Sequence, residues 1–203
     1  MEQIKKVKSM SIWIFIVPFV AVNTCLILIT QFHGLFPNRA DIIHNTFPYI
    51  DGGASISRTA RVFPTYLIFK PAMFLTSYLL IRYWYLNREI LLKVGGEHKH
   101  IKKIIFFGVA SAIALTVHSI FLGIKFEYDL YKLFRRVIML SFIIFEIVAQ
   151  TYLVIILYSF KNKIIDLINP NFLKAKLVLV SILIVVAAIS IPIISLSLIH
   201  ISE

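Results

Sequence analysis

The chain is poor in cysteine, in acidic residues and in charge of any sign. A single cysteine, Cys25, stands among 203 residues, which excludes an intramolecular disulfide framework and any zinc site built on several thiolates. Charged residues make up only 15% of the chain, where soluble domains run nearer a quarter. The signatures of a serine-hydrolase elbow, a zinc-protease helix, a P-loop and a dinucleotide-binding turn are all missing. No cofactor and no metal are therefore implied, and no internal repeat or low-complexity tract is visible. What the chain has instead is apolar mass: 59% hydrophobic residues and a mean hydropathy of +0.87. That balance excludes a water-soluble globule, and it excludes disorder, which goes with few aliphatic and aromatic side chains.

The net charge is +11, from 21 Lys and Arg against 10 Asp and Glu. Nucleic acid is one partner of basic proteins, but no helix-turn-helix, zinc finger or aromatic-interleaved basic platform accompanies the charge. Basic residues in cytoplasmic loops, held by anionic headgroups, account for it better. Five stretches are long and apolar enough to cross a hydrocarbon core, which takes roughly 20 helical residues. They cover 10–31, 63–85, 104–124, 137–160 and 177–199. The sequence thus predicts one all-α domain over 1–203, a five-helix transmembrane bundle. With the N-terminus inside, thirteen Lys and Arg fall on the cytoplasmic side and seven outside, so the positive-inside rule favours N-in and C-out. The first apolar run continues through 26–29, beyond the 7–15 residues of a cleaved signal core, and reads as an uncleaved span. One long non-cytoplasmic segment, 32–62, joins the first two spans. Trp13 and the run Tyr83, Trp84, Tyr85 read as aromatic anchors at the inner boundary, with Tyr66, Tyr128 and Tyr131 near the outer one.

Ionisable residues inside a span are costly and so are informative. Lys70, His118 and Glu146 stand out, with Asn23 as a polar companion. A rise of 1.5 Å per residue puts them roughly 9–14 Å from the outer ends of their helices, all in the outer half of the bilayer. Two readings stand side by side. In one, Lys70 and Glu146 neutralise each other and the rest is interhelical glue. In the other, the four line a polar cavity open to the outer face. Pro71 strips the Leu67 carbonyl of its helical partner beside Lys70, and Gln150 extends the Glu146 face by one turn. Arg58 and Arg61 are placed to meet an anionic headgroup. Ser55 and Ser57 read as caps before the second span, and Gly95-Gly96 as a turn. His98 and His100 read as a solvated loop, since no further ligand completes a metal site.

The stretch Phe47-Pro48-Tyr49-Ile50-Asp51-Gly52-Gly53-Ala54-Ser55-Ile56-Ser57, followed by Arg61 and Pro64, resembles the signature of the FRAG/DRAM-type membrane family. That family includes the GPI-anchor remodelling factor and the N-terminal domain of a fungal cell-wall protein. The resemblance covers the layout of the first four helices and is specific only over about 47–64. Two departures stand against it: most members are six-spanning, and Asp51 follows Ile50 where a serine is usual. The resemblance implies handling of lipids or lipid-linked molecules at the non-cytoplasmic leaflet and carries over no catalytic residues.

The expected function is a multi-pass protein that binds a lipid or amphiphile in a polar cavity of the outer half-bilayer. Arg58, Arg61, Asp51, Ser55 and Ser57 would serve its mouth, and Lys70, Glu146, His118 and Asn23 its floor. A second reading is a non-enzymatic accessory subunit that docks on a larger membrane-protein complex through the fifth span. A third is a transferase with His118 and Glu146 as acid and base. The expected partners are membrane lipids and, on the second reading, a membrane protein; nucleic acid is not expected. The isoleucine and lysine usage and the short loops point to a bacterial inner membrane.

Overall fold

The computed structural model describes residues 2–43, 50, 56–124, 128–164 and 169–199. They form α1 (Glu2–Gln31), α2 (Ile56–Thr59), α3 (Tyr66–Gly95), α4 (Ile101–Phe121), α5 (Asp129–Ser159), α6 (Lys161–Ile164) and α7 (Pro170–Ile199), with 3-10 turns at His33–Leu35 and Arg39–Asp41. No strand occurs among the described residues. Four helices are long and apolar enough to cross a membrane: α1, α4, the Leu133–Ser159 part of α5 and the Pro170–Ser190 part of α7. The fold is therefore all-α, and the chain is an integral membrane protein. The apolar side chains on the outside of these helices, such as Phe15, Phe19, Phe106 and Ile113, would be a liability in water and are the ordinary surface in lipid.

α3 is as long as α1, at 30 residues, but carries Lys70, Arg82, Arg88, Glu89 and Lys93 along its length. It nonetheless lies at the centre of the bundle, packed between α1 and α4, while α4 packs on α5 and α5 on α7. Its backbone helix continues through Pro71, as α1 does through Pro18. Two cores result. One joins Cys25 of α1 to Phe69, Met73 and Leu80 of α3 and to Ala112 and Leu115 of α4. The other joins Trp84 and Leu91 to Ile101 and Ile104 of α4 and to Ala149, Leu153 and Ile156 of α5.

Local chemistry sets the ends. Gly96 closes α3 at φ 80°, with its N–H donating to the Leu92 carbonyl at 3.1 Å; only glycine takes that left-handed turn without strain. Ahead of α3, the buried Thr65 hydroxyl hydrogen-bonds to the carbonyls of Thr59 and of Val62, tying α2 to the helix start. Ser57 lies inside α2 rather than capping the second span, and Ser55 falls outside the described residues. α7 starts at Asn169-Pro170: the Asn169 side-chain oxygen accepts from the Asn171 N–H at 2.9 Å, and proline suits a first helical position.

The aromatic anchor reading needs one correction. Tyr83, Trp84 and Tyr85 do not form an interfacial belt: Trp84 is fully buried and Tyr83 nearly so, and only Tyr85 faces outward. The physical reason is Gly108, whose missing side chain opens a slot on α4 that the Trp84 ring fills.

Candidate functional site

A cavity of about 730 Å³ lies at the end of the bundle where α1 begins. Its walls come from Ile4 and Val7 of α1, Ile90, Leu91 and Val94 of α3, Leu157 of α5, and Leu173, Leu179, Val180 and Leu183 of α7. Five polar side chains break this aliphatic lining: Tyr83, Asn87, Glu146, Gln150 and Lys176. α7 packs along α5 and at most grazes α1 and α3, so the cavity runs between α7 on one side and α1 and α3 on the other.

Glu146 is the centre of the polar set. Its carboxylate accepts from the Ser111 hydroxyl of α4 at 2.7 Å and from the Gln150 amide one turn along α5 at 2.9 Å. Lys176 faces it from α7 as its cationic neighbour, without closing an ion pair among the described residues. The indole of Trp84, fully buried, also lies against the Glu146 carboxylate. Asn87 donates back to the Tyr83 carbonyl at 2.8 Å. A carboxylate on α5 and an ammonium on α7, set among apolar walls, can recognise the polar end of an amphiphile while the walls take its chain. Among the described residues no three His, Cys, Asp or Glu side chains gather as metal ligands.

The sequence predicts that Asn23, Lys70, His118 and Glu146 share one cavity under the 32–62 segment. The structure separates them. Asn23 turns back on its own helix and donates to the Phe19 carbonyl at 2.6 Å. Lys70 donates to the Ile120 carbonyl at 3.3 Å, with its ammonium 5.8 Å from the Tyr66 ring, so it caps the end of α4 instead of facing Glu146. The partners of the two tell the distance: Ile120 and Ser111 are nine residues apart on α4, about 13 Å of helix. His118 stands near Arg135 and Arg61. Only Glu146, with Gln150, reaches the cavity, and the cavity lies at the opposite end of the bundle.

The mouth residues fare differently. Arg58 is exposed on α2. Burial and the like charge of Arg135 hold the Arg61 guanidinium below its ordinary pKa. Asp51 and Ser55, with most of the family-like stretch, lie outside the described residues. His98 and His100 lie half-exposed in the turn before α4, with rings 5.2 Å apart that touch Phe160 at 5.8 Å and Tyr152 at 5.0 Å.

Lys176 is the site residue that sequence reading misses. It reads as a loop lysine because the apolar run begins at 177, yet α7 begins seven residues earlier, at Pro170. The Asn-Pro pair was the available signal, since asparagine caps helices and proline opens them. Tyr83 and Asn87, four apart on α3, share a helical face but look like boundary residues beside Trp84 and Arg88. No family model, no curated protein and no solved structure matches this chain.

Proposed function

We propose that this chain is a five-span membrane protein, N-terminus inside, that binds a lipid or related amphiphile in the cavity around Glu146. The aliphatic walls receive the apolar chain; Glu146, Gln150 and Lys176 meet the polar group. One observation carries the reading: a 730 Å³ slot, within the range of small-molecule sites, joins aliphatic walls to a half-buried carboxylate and a lysine. The loose seat of α7 against α1 and α3 supports entry from the side. With the N-terminus inside, this cavity belongs to the cytoplasmic half of the bilayer, not to the outer half that the sequence predicts.

Native mass spectrometry of the gently solubilised protein tests the binding. A discrete lipid is expected to leave with the wild type and to be lost in Lys176→Met; only bulk lipid on both would sink the proposal. The accessory-subunit reading has its own support in α7, of whose apolar window only 11% is buried. A stoichiometric protein partner together with bulk lipid alone is its expected result.

Five spans require α3 to cross as well as the four more apolar helices. In a Cys25→Ser background, Asn38→Cys is expected to react with an impermeant maleimide on intact cells, and Lys99→Cys only after permeabilisation. Labelling of both from one side would mean that α3 does not cross, and the reverse pattern would invert the orientation. A bacterial inner membrane fits the residue usage.

A further inference from the structure

We infer that Lys103, His100, His98 and Lys163 form a second site, at the water boundary where α4 begins, that takes the phosphate of an anionic lipid headgroup. This inference is independent of the amphiphile reading. Two aromatic rings tie the four basic side chains together. At the Tyr152 ring of α5, the Lys103 ammonium lies 5.3 Å from the centroid and the His100 ring 5.0 Å. At the Phe160 ring, which follows the last residue of α5, the His98 ring and the Lys163 ammonium each lie at 5.8 Å. The two imidazoles are 5.2 Å apart, so the four make one continuous row from α4 through the 96–100 link to α6. Gly95 seats this row at the end of α3, because any side chain there would run into the Phe160 ring.

The row has donors and lacks acceptors. Neither lysine closes an ion pair among the described residues, and a ring face attracts an ammonium without replacing an oxygen as acceptor of its three N–H bonds. The His100 backbone N–H donates to His98 Nδ1 at 3.3 Å, so a neutral His98 carries its proton on Nε2 and is still a donor. Partial burial and the like charges of Lys99, His98 and Lys103 hold the His100 imidazole below its ordinary pKa; a bound anion acts in the opposite sense. The surroundings are basic too: Lys99 in the link, Lys102 on α4 and Lys161 on α6 stand against Glu97, and Lys93 of α3 is engaged with Gln3 at 3.0 Å. Depth fits as well. The apolar stretch of α4 begins at Ile101 and that of α5 ends at Ser159, so the row sits at headgroup level, where basic groups attract anionic lipids.

Native mass spectrometry of the full-length protein in neutral detergent, titrated with phosphatidylglycerol and with phosphatidylcholine, tests the site. Running each titration in a Lys176→Met background removes the cavity lipid from the count. Phosphatidylglycerol is expected to be retained in preference to phosphatidylcholine, and more tightly near about pH 6 than about pH 8, because protonated imidazoles add positive charge. Lys103→Gln with Lys163→Gln is expected to weaken that retention about tenfold or more, the scale of two lysines at an anionic surface. Both side chains are exposed, so the fold should survive, and continued protection of the buried Cys25 thiol checks that it does. Lys5→Gln with Lys8→Gln removes the same charge from the same end of the bundle, where Gln3 meets Glu89 and Lys93. That pair is expected to change retention by less than about twofold, since distant charges are screened in salt. His98→Gln with His100→Gln is expected to abolish the pH dependence. No preference for phosphatidylglycerol, equal losses in the two lysine pairs, or a pH dependence that survives without the imidazoles would overturn the inference. Inorganic phosphate retained in place of lipid would overturn it too, by making the row a free-ion site.

Discussion

Gly108→Ala is expected to lower the stability of the protein by about 1–3 kcal/mol, the range of core overpacking, and Gly108→Leu to prevent its accumulation in the membrane. A side chain at 108 would meet the Trp84 ring atoms at 2.4–2.5 Å, closer than carbon atoms approach. The obstacle is a rigid indole, not the end of a flexible chain. It has nowhere to go, since Trp84 is fully buried and held edge-on against Tyr83 at 5.1 Å. Small residues at helix contacts let membrane helices approach without a hydrophobic driving force. The readout is built into the chain: Cys25 is 1% exposed and becomes reactive to a thiol-directed fluorophore as the bundle opens. A Gly108→Ala midpoint equal to wild type would show that α3 and α4 do not pack in this way.

Glu146→Gln is expected to reduce retention of the bound amphiphile by about ten- to a hundredfold, the worth of a hydrogen bond to a charged group. Its unfolding midpoint should change little, because the amide keeps the shape of the carboxylate, sheds the cost of desolvating a charge and breaks no ion pair among the described residues. The amide keeps one oxygen for the Gln150 donor, 2.9 Å away in the wild type, and its NH2 can donate to Ser111, whose hydroxyl then turns to the Gly108 carbonyl at 2.8 Å; what is removed is the negative charge that faces Lys176. Paired measurements of ligand retention and thiol reactivity on the same sample separate the outcomes. A variant that keeps its lipid would remove Glu146 from the site. One that loses its lipid together with its fold would make Glu146 a structural residue. The apolar Glu146→Leu should be worse on both axes, since it takes away the acceptor of the Gln150 amide.

Much of the helix placement was legible without coordinates. The predicted fourth span, 137–160, falls within one residue of the end of α5, and the predicted third span, 104–124, overlaps most of α4. Gly95-Gly96 does end a helix, at the glycine with positive φ. These are local properties: a run of apolar residues and a residue without a Cβ carry their meaning in place.

The assignment of Lys70, His118, Asn23 and Glu146 to one cavity was not legible, and the reason lies in the solvent. In water, an apolar stripe shows which face of a helix turns inward. In lipid both the packed face and the outer face are apolar, so the rotation of each helix leaves little trace in its sequence. Depth can be counted along the chain, but two residues at one depth can still face different neighbours. Lys70 therefore turned to the end of α4, and Glu146 to Ser111 and Lys176.

The sequence by itself determined that the chain is helical and made for a bilayer, because burying a peptide backbone in hydrocarbon leaves the helix as the self-sufficient solution for such apolar runs. It also placed the excess of basic residues at the end that carries the start of α1. Only the tertiary structure decided that Trp84 is core, that Lys176 belongs to the Glu146 wall, and that Lys103 lies over Tyr152. Each of those depends on side chains from helices far apart in the chain being turned toward one another, and that turning is decided by shape, by a glycine against an indole, more than by hydropathy.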